Sequence, residues 1–219
     1  MYNESAVLPD LIAHLDSLKY NGIFEIIIVD GHPNKTTLKT VPANPRLTLL
    51  SSAKGRACQM NTGAEEASGD ILLFLHADNR LPQEGLNDIA KVLYSRKIVA
   101  GAFKLGIDSQ HPGLKIIEIV ANIRTQLTRI PYGDQSIFIK KDYFHKIGGY
   151  SDIPLMEDVE LMKKIKKQGQ QILLINKRTW TSPRRWLQQG ITYCTLRNWF
   201  LITLYLLGVS PQKLVKYYY

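Results

Sequence analysis

Apolar positions along this chain alternate between two rhythms. Val7, Leu8, Leu11, Ile12, Leu15 and Leu18 recur three and four residues apart, which predicts a helix ended by Gly22. Asn3 or Ser5 is its candidate N-cap, and Pro9 fits the first turn. Ile23 to Val29 is a continuous run rich in β-branched residues, closing on Asp30-Gly31, and predicts a buried strand. Lys35 to Pro45 predicts a short helix and loop, and Leu47 to Leu50 a short strand. Gly55 to Ala67 predicts a helix whose small Ala57, Ala64 and Ala67 let it approach a sheet. Ile71 to Leu75 is a second buried strand, ending in His76-Ala77-Asp78.

The alternation continues. Pro82 to Arg96 reads as helix, Ile98 to Leu105 as strand, Leu114 to Leu127 as helix and Ser136 to Ile139 as strand. Asp142 to Ile147 and Glu157 to Lys167 read as helices, Ile172 to Ile175 as strand, and Trp186 to Leu207 as one long C-terminal helix. Strands alternating with helices predict an α/β fold with a mostly parallel sheet and right-handed crossovers. Gly101, inside a strand, marks close approach of a ligand or a neighbouring backbone.

Composition changes this picture little. The 219 residues suffice for one α/β domain, and 45% apolar with 21% charged content excludes global disorder. Charge is more telling. The net +9 is concentrated at the end: from Glu160 onward there are eleven Lys or Arg and one acid. Such a surface favours an anionic partner. Cys58 and Cys194 belong to no metal-ligand cluster and read as reduced thiols of a cytoplasmic protein. The apolar stretch Trp199 to Val209 is too short to span a bilayer.

Candidate chemistry gathers at element ends. Asp30 and Asp78 close strands, Asp134 and Gln135 precede one, and Glu157 and Asp158 open a helix. In open α/β sheets, ligands bind beyond the carboxyl ends of the strands. Each acid alone has an ordinary role: Asp-Gly turns a chain, and acids complement a helix N-terminus. Together they fit a hard divalent cation bridging phosphates, with a further acid as general base. Gly55 and Arg56 are candidates for a phosphate at a helix start. No zinc ligand set, P-loop or dinucleotide fingerprint is present.

The order YNES, IIIVDG, GRACQMNTGA, GDILLFLHAD, GDQSIFIKKDYFHKIGGY and MEDVELMKKIKKQG resembles family 2 glycosyltransferases of the Rossmann-like GT-A fold. More narrowly it resembles the radical-SAM/selenodomain-associated subgroup. The resemblance implies a single domain over 1–219, with a nucleotide-binding part to about residue 105 and an acceptor-side part from about 106. It implies metal-dependent, inverting transfer from a nucleotide-diphosphate sugar to an acceptor hydroxyl. Tyr2 and Glu4 would meet the base, and Asp30 the base or ribose. Arg56 would lie near the nucleotide, and Asp78 would hold Mg²⁺ or Mn²⁺. Asp158 would be the base, with Glu157 sharing or orienting that role. Asp134 and Gln135 would face the acceptor, while Arg184 and Arg185 would cover the diphosphate. His76 stands where the family's metal motif opens with Asp. The family also has a hydrophobic strand ahead of the YNES-like motif, so that first strand is expected to be missing here. Further expectations are a peripheral membrane contact through the basic C-terminal third, a homodimer, and no nucleic-acid partner. The competing reading is a non-catalytic nucleotide-sugar or membrane-surface module of the same fold. A nucleotidyltransferase is disfavoured, because no Gly-rich basic loop precedes the first helix.

Overall fold

The computed structural model describes residues 5–34, 38, 46–94 and 97–218. The expected Tyr2 and Glu4 contacts, the Asn3 cap and nearly all of the Lys35 to Pro45 segment lie outside them.

The elements follow the predicted alternation. In order they are α1 (Leu8–Asp16), β1 (Ile26–Asp30), β2 (Leu47–Ser51), α2 (Arg56–Glu66), β3 (Ile71–Leu73), β4 (Asn79–Arg80) and α3 (Gly85–Tyr94). Then come β5 (Ile98–Ile107), α4 (Pro112–Thr128), β6 (Phe138–Lys140), α5 (Lys141–Lys146), α6 (Glu157–Lys167) and β7 (Gln171–Thr181). Last are α7 (Arg184–Gln189), α8 (Ile191–Leu206) and α9 (Pro211–Leu214).

β1 and β2 form a parallel pair, while β3, β6, β5, β7 and β4 form a mixed sheet in that order. Its long β5–β7 ladder is parallel, and β4 and β6 pair antiparallel with their neighbours. Among the described residues no strand joins β1 to β3.

Period-two alternation sorts the core onto two faces. Leu72, Ala100, Ala102, Ile137 and Ile139 pack on one side with Ala57 and Ala64 of α2 and Leu161, Met162 and Ile165 of α6. Phe103 and Phe138 face the other side, against Leu8, Leu11 and Leu15 of α1 and Ile89 and Leu93 of α3.

The sheet expected to be mostly parallel is mixed instead: three of the four pairings in its five-stranded part are antiparallel, because β6 and the unpredicted β4 run against their neighbours. Two other elements depart from their expected bounds. β7 runs to Thr181 rather than stopping near Ile175, because exposed Asn176, Lys177 and Arg178 are carried past a register shift between Phe103 and Lys104 of β5. The long C-terminal helix is broken: Gly190 has φ 88° and separates α7 from α8. That left-handed conformation suits glycine, and the helical period alone does not reveal the break.

Candidate active site

Strand pairing explains why acids distant in sequence meet. β3 and β6 are antiparallel with Leu73 opposite Phe138, so the residues after β3 lie beside those before β6. The Asn79 amide donates to the Asp134 carbonyl at 2.8 Å and fastens the two loops. β4 pairs with β7 with Asn79 opposite Thr181, which brings the segment after β7 to the same end. His76, Asp78, Asp134, Glu157, Asp158, Arg56, Arg184 and Arg185 all line a cavity of about 1600 Å³ that also runs between β1 and β3.

Asp158 is the best-anchored of these acids. Its Oδ2 accepts the Gly133 amide at 2.7 Å and its Oδ1 accepts the Val159 amide at 2.7 Å. Each carboxylate oxygen has a second lone pair, so the group is oriented and still able to accept a proton. Met156, just ahead, sits at φ 67°, a left-handed conformation that costs a non-glycine residue about 1–2 kcal/mol. It turns the chain into α6 so that Glu157 and Asp158 face the cleft.

Gly133 is required by crowding. A Cβ there would lie 2.8 Å from His76 Nε2 and 3.6 Å from Asp158 Oδ2. Burial, reinforced by Arg56, pulls the His76 pKa down to about 3, so its imidazole is neutral at neutral pH.

The remaining acids feel one another. Glu157 is buried, and burial together with the Asp158 charge pushes its pKa up to about 7 against the pull of Arg56. Its Oε1 is 3.9 Å from Arg56 Nη1, a loose ion pair. Asp134 is raised to about 6, by burial first and then by Asp158 and Asp78, with Arg124 and Arg56 opposing. Burial is the first cause of both shifts, and the neighbouring carboxylates add to it.

The oxygen donors of Asp78, partly exposed in the cleft, are of the hard kind that suits a divalent cation. Among the described residues no group of three or more His, Cys, Asp or Glu is arranged to hold a metal. A cation here would draw most of its ligands from a bound molecule and water rather than from side chains.

Two expected residues stand apart. Gln135 is fully buried; its Oε1 accepts from Thr125 Oγ1 at 2.8 Å and its amide donates to the Phe103 carbonyl at 3.1 Å. It braces the loop from inside and cannot face an acceptor, because its polar atoms are spent on the scaffold. Asp30 is fully buried, takes the His32 amide at 2.9 Å, and is not among the side chains lining the cavity.

The sequence reading missed Tyr218. Arg185 donates to its hydroxyl and stacks over its ring at 4.3 Å, and Arg56 lies close enough to interact with the same hydroxyl. One tyrosine thus gathers two guanidinium groups from α2 and α7. A run of three terminal tyrosines carried no sequence signal for this. Tyr132, with Arg124 stacked 3.2 Å from its ring centre, was also missed.

Fold and cleft define an α/β protein that collects carboxylates and guanidinium groups at its strand tips. Residues 1–151 match Glycosyl transferase family 2, and the chain belongs to that family. It is 24% identical over 207 residues to an uncharacterized glycosyltransferase of Haemophilus influenzae, covering 90% of this chain and 66% of that protein. Its fold is similar to the mannosyltransferase PcManGT from Pyrobaculum calidifontis in complex with GDP-Man and Mn²⁺. That match has TM-score 0.68 and 20% identity, covering 82% of this chain and 54% of that one. It is also similar to S. aureus TarS 1–349 in complex with UDP-GlcNAc, with TM-score 0.63 and 16% identity, covering 83% and 56%. The chain therefore spans about two thirds of the first relative and little more than half of the two structures. The α/β architecture, that of the GT-A fold, is shared with both structures.

Proposed function

We propose that this chain transfers a sugar from a nucleotide-diphosphate sugar to an acceptor hydroxyl, with inversion, and that Asp158 is the base. The observation that carries the reading is the Asp158 carboxylate, fixed by two amides in a cleft that Asp134, Glu157, Arg56, Arg184 and Arg185 also line. The bound donors and Mn²⁺ of the structural neighbours support the donor class and the cation.

In the proposed step the acceptor oxygen attacks the anomeric carbon as the bond from that carbon to the diphosphate oxygen breaks. The acceptor proton passes to Asp158. The diphosphate leaves with the bonding electron pair, and Arg56, Arg184 and Arg185 stabilise its growing charge. A Mg²⁺ or Mn²⁺ ion at Asp78 supplies counter-charge to the diphosphate when bound. Asp134 lies on the acceptor side and Glu157 orients Asp158. Neutral His76 supports the loop through its contact with Gly133.

Asp158→Asn keeps the side chain's shape and removes the base. Transfer should fall by at least about a hundredfold, the usual contribution of general base catalysis, while donor binding stays within a few-fold. Transfer at the unsubstituted rate would refute the assignment. The rival reading, a non-catalytic binding module, requires donor binding without transfer in the unsubstituted chain.

A further inference from the structure

α4 and α8 share an unusual property: each is apolar on the side facing away from the protein. α4 buries Leu114, Glu118 and Thr125 inward, with Ile117 and Ala121 packed against the core. Its opposite side is Ile116, Ile119, Val120, Ile123 and Leu127, which are 39–79% exposed. α8 buries Cys194 and Leu201 and presents Tyr193, Leu196, Trp199, Phe200, Leu206 and Leu207, 54–76% exposed. A surface helix ordinarily puts charge on its outward side. The two helices meet at their N-terminal ends, where a Cβ on Gly113 would lie 3.7 Å from Ile191.

Charge says what covers these faces. Residues 1–159 hold seventeen bases and eighteen acids; residues 160–219 hold eleven bases and one acid. That one acid, Glu160, is half-buried and accepts the Tyr205 hydroxyl. α7, α8, α9 and the turn after them contain no acid, and their exposed cations include Lys213 and Lys216. Arg129 is exposed at the C-terminal end of α4. A second copy docking on this surface would set one cationic rim against its like. Neutral or basic proteins would gain nothing from the rim. An anionic bilayer surface matches both the apolar stripes and the cations around them. Trp199, Tyr193 and Tyr217 are exposed aromatics of the kind that settle at the lipid–water boundary. Among the described residues no helix is long and apolar enough to cross a membrane, so the helices would lie in the interface.

We infer that the outward faces of α4 and α8, with their basic rim, form a docking surface for an anionic lipid bilayer. The inference does not depend on sugar transfer. Because Cys194, Asn198 and Leu201 on the inward side of α8 line the cleft, docking sets the cleft close to the lipid surface.

The test uses the full chain and vesicles of phosphatidylcholine with or without phosphatidylglycerol. The chain should bind the phosphatidylglycerol vesicles, lose binding as salt rises, and bind pure phosphatidylcholine weakly. Brominated acyl chains should quench tryptophan emission, and Trp199→Phe should remove the quenched component. Ile119→Ser/Ile123→Ser and Leu196→Ser/Phe200→Ser keep the charge and shed apolar surface. Each pair should lower partitioning by about tenfold or more. An unchanged melting temperature shows that they fold, and the quenching measurement needs neither pair. No binding to phosphatidylglycerol vesicles at low salt overturns the inference. So does binding that survives both serine pairs, or a dimer in solution that the same pairs dissociate.

Discussion

Glu157 is the most direct handle on the electrostatics of the cleft. The residue is 3% exposed, and burial first, then Asp158, raise its pKa from 4.5 to about 7 while Arg56 opposes. A carboxyl with a raised folded pKa makes the folded chain keep a proton that the unfolded chain has released. Stability therefore falls as pH climbs from about 4.5 to about 7, with no penalty below that window and a constant one above it. Above pH 7 the penalty is roughly 3 kcal/mol at most. Glu157→Gln removes the charge and keeps the shape. It should stabilise the chain by up to about 3 kcal/mol at pH 8, or about 6–12 °C in Tm, and by almost nothing at pH 4.5. Arg56 limits the gain, since its 3.9 Å contact with Oε1 is lost as well. Thermal melts of both proteins from pH 4.5 to 8.5 measure the difference. A difference that does not change with pH, or a Gln variant less stable at pH 8, would show that the Glu157 carboxyl carries no such penalty.

Two further predictions follow from packing and from the arginine cluster. A methyl at Gly101 would lie 2.4 Å from the Phe138 ring and 2.5 Å from the Leu173 carbonyl, which is backbone and cannot step aside. Gly101→Ala should cost about 3 kcal/mol or more and lower Tm by at least about 6 °C; a Tm within a degree of the parent counts against this packing. Tyr218→Phe keeps the ring under Arg185 and deletes the hydroxyl that Arg185 and Arg56 share. The loss of about 1 kcal/mol should appear as roughly five- to tenfold weaker donor binding with stability nearly unchanged, and unaltered titration curves would remove Tyr218 from the site.

The sequence carried the α/β alternation because strand and helix periods differ and few segments confuse them. The Glu157–Lys167 helix keeps its bounds from sequence to structure. Pairing was less legible. Nothing in the local pattern says that β6 lies between β3 and β5, or that the β4 residues Asn79 and Arg80 pair with the end of β7. The acids were visible because they sit at element ends, and Asp78, Asp134, Glu157 and Asp158 do share one cleft. Asp30 and Gln135 show the limit of that logic. A strand tip or loop start fixes where the backbone goes, while the direction of a side chain depends on partners far away, such as Phe103 and Thr125 for Gln135. Tyr218 was illegible for the same reason: its partners Arg56 and Arg185 come from distant parts of the chain.

In the proposed mechanism the acid-lined cleft takes a nucleotide-diphosphate sugar together with a divalent cation at Asp78. Titration of UDP- and GDP-sugars into the full chain, with and without Mn²⁺, and again into Asp78→Asn, addresses it most directly. At least one sugar nucleotide should bind with Mn²⁺ present and lose about tenfold or more in affinity when the metal is chelated or Asp78 is replaced. Binding of no sugar nucleotide, or binding indifferent to both changes, would contradict it.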